Sequence, residues 1–168
     1  MDTHRRLLKA ERPRRLRFDA DTYPWKPDVD YRRHPDAYKV GRGEQGVLIV
    51  EPYKSELVPL WRFKTPDIAE TSAAARAGKF KEYLDRDDFV GADMARKFLQ
   101  MGYTRARRYA NFKGGRKYQP DADFTPLLRG TGSDEKAESA RVFYEAWKRV
   151  EAIPAYAQRK KRWEQARG

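Results

Sequence analysis

Residues 88–111 read DFVGADMARKFLQMGYTRARRYAN, and this stretch decides the fold. Its small residues recur at helical spacing and therefore share one stripe of a helix. The stripe consists of Gly91, Ala95, Gly102 and Ala106. Small side chains at this spacing allow a second backbone to approach closely, while larger apolar neighbours anchor the helix in the core. The stretch predicts a long central helix over 89–111, which the glycine pair at 114–115 ends.

The opposite side of this helix is polar, and its charge has one sign. From Arg96 to Lys117 the chain holds eight Lys or Arg and no Asp or Glu. Solvated helix faces usually mix signs and form i,i+4 ion pairs. We interpret the block as a polyanion-binding surface; the alternative is that carboxylates elsewhere, such as Glu138 or Glu145, neutralise it. The predicted contact residues are Lys97, Arg107, Arg108, Lys113, Gly114, Gly115, Arg116, Lys117 and Tyr118.

Aromatic side chains are interleaved with this charge, which suits a nucleic-acid ligand. Bases stack on exposed rings in proteins that bind single strands without sequence preference. Among the rings of this region we expect Phe112 and Tyr118 to be exposed and Tyr109 to be buried. The glycine pair at 114–115 would also expose backbone N–H groups to a phosphate.

The remaining segments predict an α+β fold that is mainly helical, with three principal helices packed on a small two- or three-stranded sheet. Val47–Val50 and Trp61–Lys64 are the predicted strands. Thr65 is the expected cap of a helix that runs to about Leu84. The third helix is expected over Asp134–Val150, with its apolar side formed by Ala140, Phe143, Tyr144 and Trp147.

Composition divides the chain of 168 residues, which has a net charge of +12, into three parts. Residues 1–20 read as a basic, flexible arm, 21–152 as a single compact domain, and 153–168 as a basic tail that is either helical or disordered. No cysteine is present, which excludes thiolate metal sites. The two histidines, His4 and His34, are far apart in the sequence and argue against a histidine metal site, while a carboxylate Mg²⁺ site stays open. We predict no cofactor, no membrane partner and a cytoplasmic location, and the oligomeric state stays open.

Two weaker patterns concern chemistry. Gly41-x-Gly-x-x-Gly46 has the letters of a dinucleotide fingerprint, but that motif needs a preceding strand and a following helix, so a tight turn is favoured. An alternative phosphate pocket would combine Gly41, Arg42 and Gly43 with Arg62 and Lys64. Glu51 and Asp88 are the weak catalytic candidates, although carboxylates at such positions are more often helix caps or ion-pair partners.

Three stretches of the chain resemble one known family. They are DYRRHPDAYKVGRGEQGVLIVEPYKSELVPLWRFKTPDIAE, DDFVGADMARKFLQMGYTRARRYANFKGGRKY and EKAESARVFYEAWKRV. The family is an uncharacterised domain of unknown function, found in small basic cytoplasmic proteins of bacteria, fungi and large phages. The resemblance implies one compact domain, and it supplies no catalytic residues because the family has no established activity.

The function that these patterns favour is that of a nonenzymatic accessory protein that binds nucleic acid or another polyanion. One alternative is an enzyme that acts on a phosphorylated metabolite or nucleotide. Another is an interaction module that docks an acidic protein.

Overall fold

The computed structural model describes residues 23–60, 62, 64–111 and 134–167. Within these ranges the chain forms five α-helices. They are α1 (Tyr53–Leu57), α2 (Pro66–Asp85), α3 (Phe89–Asn111), α4 (Asp134–Glu151) and α5 (Pro154–Arg167), with 3₁₀ turns at Pro35–Ala37 and Val58–Leu60. None of these described helices is long and apolar enough to cross a membrane.

The predicted α+β fold is wrong, because the described part of the chain is all-α and contains no strand. Val47–Val50 forms consecutive turns, in which the amides of Ile49 and Val50 both donate to the carbonyl oxygen of Gly46, at 3.0 and 3.1 Å. Trp61 and Phe63 of the second predicted strand lie outside the described residues. The only β-type pairing in the described part is an isolated parallel bridge between Asp30 and Glu51.

The predicted helix starts are confirmed by their capping contacts. The Thr65 hydroxyl accepts a hydrogen bond from the amide of Ile68 at 3.2 Å, and Pro66 takes the first position of α2. The carboxylate of Asp88 accepts from the amide of Gly91 at 3.0 Å and so caps α3. Both contacts satisfy amides that the first turn of a helix leaves without partners.

Helices α2, α3 and α4 form a three-helix bundle, in which each contacts the other two. The small-residue stripe of α3 lies inside this bundle, as predicted. A Cβ atom at Gly91 would lie 2.5 Å from the ring of Tyr83 on α2, and one at Gly102 would lie 2.4 Å from Phe143 on α4. The two glycines therefore let α3 approach both partner helices at ring-contact distance.

The segment before α1 and the helix α5 cover the remaining side of α3. Trp25 and Tyr38 of the N-terminal segment are fully or almost fully buried. Helix α5 packs through the buried Tyr156 and through Trp163, whose indole N–H donates to the carbonyl oxygen of Tyr38 at 2.8 Å. Both of these rings stack on Phe89, with centroid distances of 5.9 and 4.9 Å. The first residues of α3 are thereby enclosed by aromatic side chains from two directions.

Candidate polyanion-binding surface

The predicted basic face of α3 divides into a buried part and an exposed part. The side chains of Arg96 and Lys97 are buried, with 3% and 0% of their surface exposed. Arg107 is exposed and Arg108 is half-buried. The other predicted contact residues, Lys113, Gly114, Gly115, Arg116, Lys117 and Tyr118, lie outside the described residues.

Lys97 points into the protein, so it is not part of a ligand-facing surface. Its Nζ donates to the carbonyl oxygens of Val40 at 2.5 Å and Gln45 at 2.6 Å. The same ammonium lies 4.7 Å from the ring centroid of Trp25 and 5.3 Å from that of Tyr38. Burial lowers the pKa of Lys97 to about 7, although the charge of Asp93 acts in the opposite direction. Lys97 therefore fastens the loop that precedes α1 onto α3.

Arg96 is held by a buried carboxylate that lies three residues earlier. Its Nη2 is 2.6 Å from Oδ1 of Asp93, which is fully buried and also accepts from the hydroxyl of Tyr156 at 2.6 Å. Nη1 of Arg96 donates to the carbonyl oxygen of Gly43 at 2.7 Å. Burial acts to raise the pKa of Asp93, but the charges of Arg96 and Lys97 hold it below its ordinary value. The positive charge at the start of the block is thus neutralised inside the fold.

Residues 41–46, which we call the glycine loop, are shaped by packing and by backbone geometry. Gly41 and Gly46 have φ values of +68° and +88°, which favour glycine, and a Cβ at either would lie within 2.7 Å of Trp25. Gly43, with φ +55°, lies over the side chain of Gln100 on α3. The exposed Arg42 sits between two of these glycines. The loop is a tight turn on α3 that presents Arg42 to solvent.

The two halves of the predicted phosphate pocket lie against different helices. Gly41–Gly43 lies on α3, whereas the amide of Arg62 donates to the hydroxyl of Ser72 on α2 at 2.8 Å. Arg62 lines a cavity of about 400 Å³ together with Ser72 and other α2 residues, and no residue of the glycine loop is among its described lining residues. Lys64 is exposed, and its carbonyl oxygen accepts from Nζ of Lys136 at 2.6 Å. The described residues therefore do not bring this pocket together.

The two weak catalytic candidates form structural contacts. Besides capping α3, Asp88 accepts from the hydroxyl of Tyr53 at 2.8 and 2.7 Å. Glu51 accepts from the hydroxyl of Ser55 at 2.7 Å and from its amide at 3.3 Å, at the start of α1. In the described ranges no group of three carboxylate or histidine side chains could hold a metal ion.

A cluster of three rings lies beside the exposed part of the basic face, where Tyr103 and Trp147 pack partly against the core and Tyr144 is exposed. We call Tyr103, Tyr144 and Trp147 the ring cluster. Tyr103 on α3 is 5.2 Å from Tyr144 and 5.9 Å from Trp147, both on α4, and the latter two are 5.7 Å apart. Tyr144 is 42% exposed, so the prediction that it belongs to the apolar side of its helix is wrong. Ala140 and Phe143 are buried on the inner side of α4 as predicted, together with Ala146 and Val150.

Arginines at the C-terminal end of α3 complete this surface. Glu44 of the glycine loop lies near Arg105 and Arg108. Burial raises the pKa of Glu44 above its ordinary value, and a hydrogen bond from Thr104 and the charges of the two arginines offset only part of this rise. Arg107 lies one helical turn after Tyr103 and forms no ion pair with any residue that the structure describes. Tyr109, expected to be buried, is 38% exposed. The basic and aromatic residues thus meet between the glycine loop and α4.

Over the residues that the structure describes, the protein is an all-α bundle with a buried ion pair and a partly exposed face of rings and arginines. Residues 22–166 match the model of a family described as a domain of unknown function, DUF4385, and the chain belongs to that family. The match extends through α5, beyond the last of the three stretches that carry the resemblance. No match was found among curated proteins or among solved structures.

Proposed function

We propose that this protein is a nonenzymatic nucleic-acid-binding protein, which contacts phosphates with the surface between the glycine loop and α4. The main support for this proposal is the exposure of Arg107 and its lack of an ion pair among the described residues. This residue lies on the acid-free half of α3. Arginine binds phosphate oxygens through two parallel hydrogen bonds, which makes an unpaired exposed guanidinium suited to a polyanion.

Neighbouring residues extend this positive surface. Arg42 is exposed on the glycine loop, which follows the same side of α3, and Arg108 is half-buried one residue beyond Arg107. The buried contacts of Arg96 and Lys97 fix the loop in place, so these two residues support the surface without contacting a ligand. A fixed loop lets Arg42 bind without first being ordered, which lowers the entropic cost of binding.

The overall charge favours the same partner. The chain has a net charge of +12, and α5 alone carries five Lys or Arg and one Glu. Two of these cations are engaged in ion pairs, Arg159 with Asp87 and Arg167 with Asp36. Lys161 and Arg162 are exposed. Such an excess attracts polyanions over long range and makes their binding strongly dependent on salt.

The arrangement favours binding over chemistry. Glu51 and Asp88 accept hydrogen bonds from helix amides and hydroxyls, and the two halves of the phosphate pocket lie on different helices. General acid–base catalysis needs a group within hydrogen-bond reach of the reacting atoms, and these carboxylates are already occupied by their caps. The same surface could dock an acidic protein, and a test with purified oligonucleotides separates that partner from nucleic acid.

The test compares two charge reversals of equal size. Arg107→Glu removes the proposed phosphate contact, whereas Lys81→Glu reverses an exposed cation on α2, near the opposite end of the bundle. Binding of a fluorescent oligonucleotide is measured by anisotropy at about 50 and 200 mM salt. We expect Arg107→Glu to weaken binding by about tenfold and to reduce the salt slope by roughly one, with a much smaller effect of Lys81→Glu. Equal effects of the two reversals would show that only net charge matters and would contradict the proposed surface.

A further inference from the structure

Tyr103 and Trp147 of the ring cluster are partly buried and pack against the core, but the packing of the bundle does not explain the exposed ring of Tyr144. The inner side of α4 is filled by Phe143 and its apolar neighbours, and Gly102 on α3 makes room for that ring. Tyr144 nevertheless projects from the outer side of α4 with 42% of its surface exposed, and it contacts two further rings. Large aromatic surfaces left at the outside of a protein commonly mark a place where a ligand binds.

The rings are held in fixed positions. The indole N–H of Trp147 donates to Oε2 of Glu151 at 2.6 Å. The Tyr144 and Trp147 rings meet edge to face, at an interplanar angle of 89°. Nζ of Lys148 lies 4.1 Å from the ring centroid of Trp147 and 3.7 Å from Oε1 of Glu151. Because these rings are already ordered, they lose little conformational entropy when a flat ligand stacks on them.

Cations flank the ring cluster on both sides. Arg107 lies one turn beyond Tyr103 on α3, and Lys148 lies over Trp147 on α4. Glu151 contacts both the indole N–H of Trp147 and the ammonium of Lys148. Rings between two cations match the chemistry of a polynucleotide, whose flat bases alternate with charged phosphates along one strand.

Resting on the proposed function, we infer that the ligand is single-stranded nucleic acid, whose bases stack on Tyr103, Tyr144 and Trp147 while Arg107 and Lys148 contact its phosphates. A duplex keeps the faces of its bases stacked on one another, so it could use the cations but not the rings. Stacking on a ring does not depend on base identity, so binding to this surface has little sequence preference.

Two substitutions at one exposed position test the inference. Tyr144→Phe keeps the ring, and Tyr144→Leu keeps an apolar side chain of helical preference but removes the ring. The full chain is titrated with labelled dT15, labelled rU15 and a labelled 15-base-pair duplex at the same salt concentration. The two single strands distinguish DNA from RNA as the source of the bases. Thermal melting of each variant checks that folding is retained, and the exposure of Tyr144 makes retention the expected result.

We expect one or both single strands to bind more tightly than the duplex. Tyr144→Leu should weaken single-strand binding by at least about fivefold, which corresponds to the lower end of the stacking energy of one base on an aromatic ring. Tyr144→Phe should bind single strands within about twofold of the native protein. Duplex binding should change little in either variant. If both variants bind single strands as tightly as the native protein does, the inference is overturned. The rings would then serve another contact, such as one with a protein.

The two sets of variants separate base stacking from phosphate binding. If Arg107→Glu weakens binding to duplex and single strands alike while Tyr144→Leu changes neither, the polyanion surface stands and base stacking is refuted. If the native protein binds none of the three oligonucleotides at low salt, both the proposed function and this inference are overturned.

Discussion

The buried ammonium of Lys97 gives the protein a pH-dependent stability that one substitution should remove. Lys97→Met replaces the cation by an apolar side chain of similar length. Burial lowers the pKa of Lys97 to about 7 in the folded protein, whereas an unfolded lysine titrates at 10.5. Between these two values the unfolded chain binds more protons than the folded one. The free energy of unfolding therefore rises as the pH increases through this interval.

The size of the effect follows from the two pKa values. One pKa unit corresponds to about 1.4 kcal/mol. Because titration of the folded form is half complete near pH 7, Lys97 should add about 2–3 kcal/mol to the free energy of unfolding between pH 6 and pH 9. The charged groups that act on Lys97 are Asp93, Arg96 and Lys160. Burial raises the pKa values of Tyr38 and Tyr156, so these groups lower stability only above about pH 10.

Urea unfolding, followed by tryptophan fluorescence at pH 6, 7, 8 and 9, measures this difference. The native protein and the control Lys81→Met, which changes an exposed cation, should both gain stability across the range. Lys97→Met should gain about 2–3 kcal/mol less than they do. If the native protein and Lys97→Met show parallel stability curves, Lys97 does not lose its proton in the folded state and the reasoning is refuted.

Further substitutions at three positions test the packing and capping of α3 and its neighbours by chemical denaturation. Gly102→Ala should destabilise the protein by about 1–3 kcal/mol, because its methyl group would lie 2.4 Å from Phe143, and a variant as stable as the native protein would contradict this packing. Gly78→Ala is the matched control: nothing lies within 4 Å of its added methyl group, so it should stabilise α2 by about 0.5–1 kcal/mol. Asp88→Ala should cost at least about 1–2 kcal/mol, because it removes the cap on Gly91 and also the acceptor of the Tyr53 hydroxyl. Asp88→Asn keeps an oxygen for these contacts and should retain most of that stability; equal losses would argue against capping.

The helices were predictable because their signals are local. Thr65 and Pro66 define the start of α2, and the small-residue stripe of α3 identifies its buried side without reference to the rest of the fold. The strand predicted at Val47–Val50 is wrong because four consecutive apolar residues are compatible with a strand and with a compact turn alike. The turn that forms depends on Gly46, whose carbonyl oxygen accepts two hydrogen bonds.

The prediction for the charged block is correct only in part, because Arg96 pairs with Asp93 just outside the block and Lys97 is buried against backbone carbonyls. Asp93 lies three and four residues before Arg96 and Lys97, a spacing that already indicates ion pairing on a helix. Their further partners include the carbonyl oxygens of Val40, Gly43 and Gln45, more than 50 residues away in sequence, which no local pattern reveals. Of the four residues predicted for the apolar side of α4, only Tyr144 is wrong: Ala140 and Phe143 are buried, and Trp147 packs against the core.

The salt dependence of binding shows whether nucleic acid binds at the exposed arginine beside the ring cluster. The affinity of the full chain for labelled dT15 is measured across salt concentrations for the native protein and for Arg107→Glu. If about six phosphates are contacted, the logarithm of the association constant should fall with the logarithm of salt with a slope of roughly −4, and Arg107→Glu should make that slope shallower by roughly one. Absence of binding at about 50 mM salt, or a slope that Arg107→Glu leaves unchanged, would contradict the account.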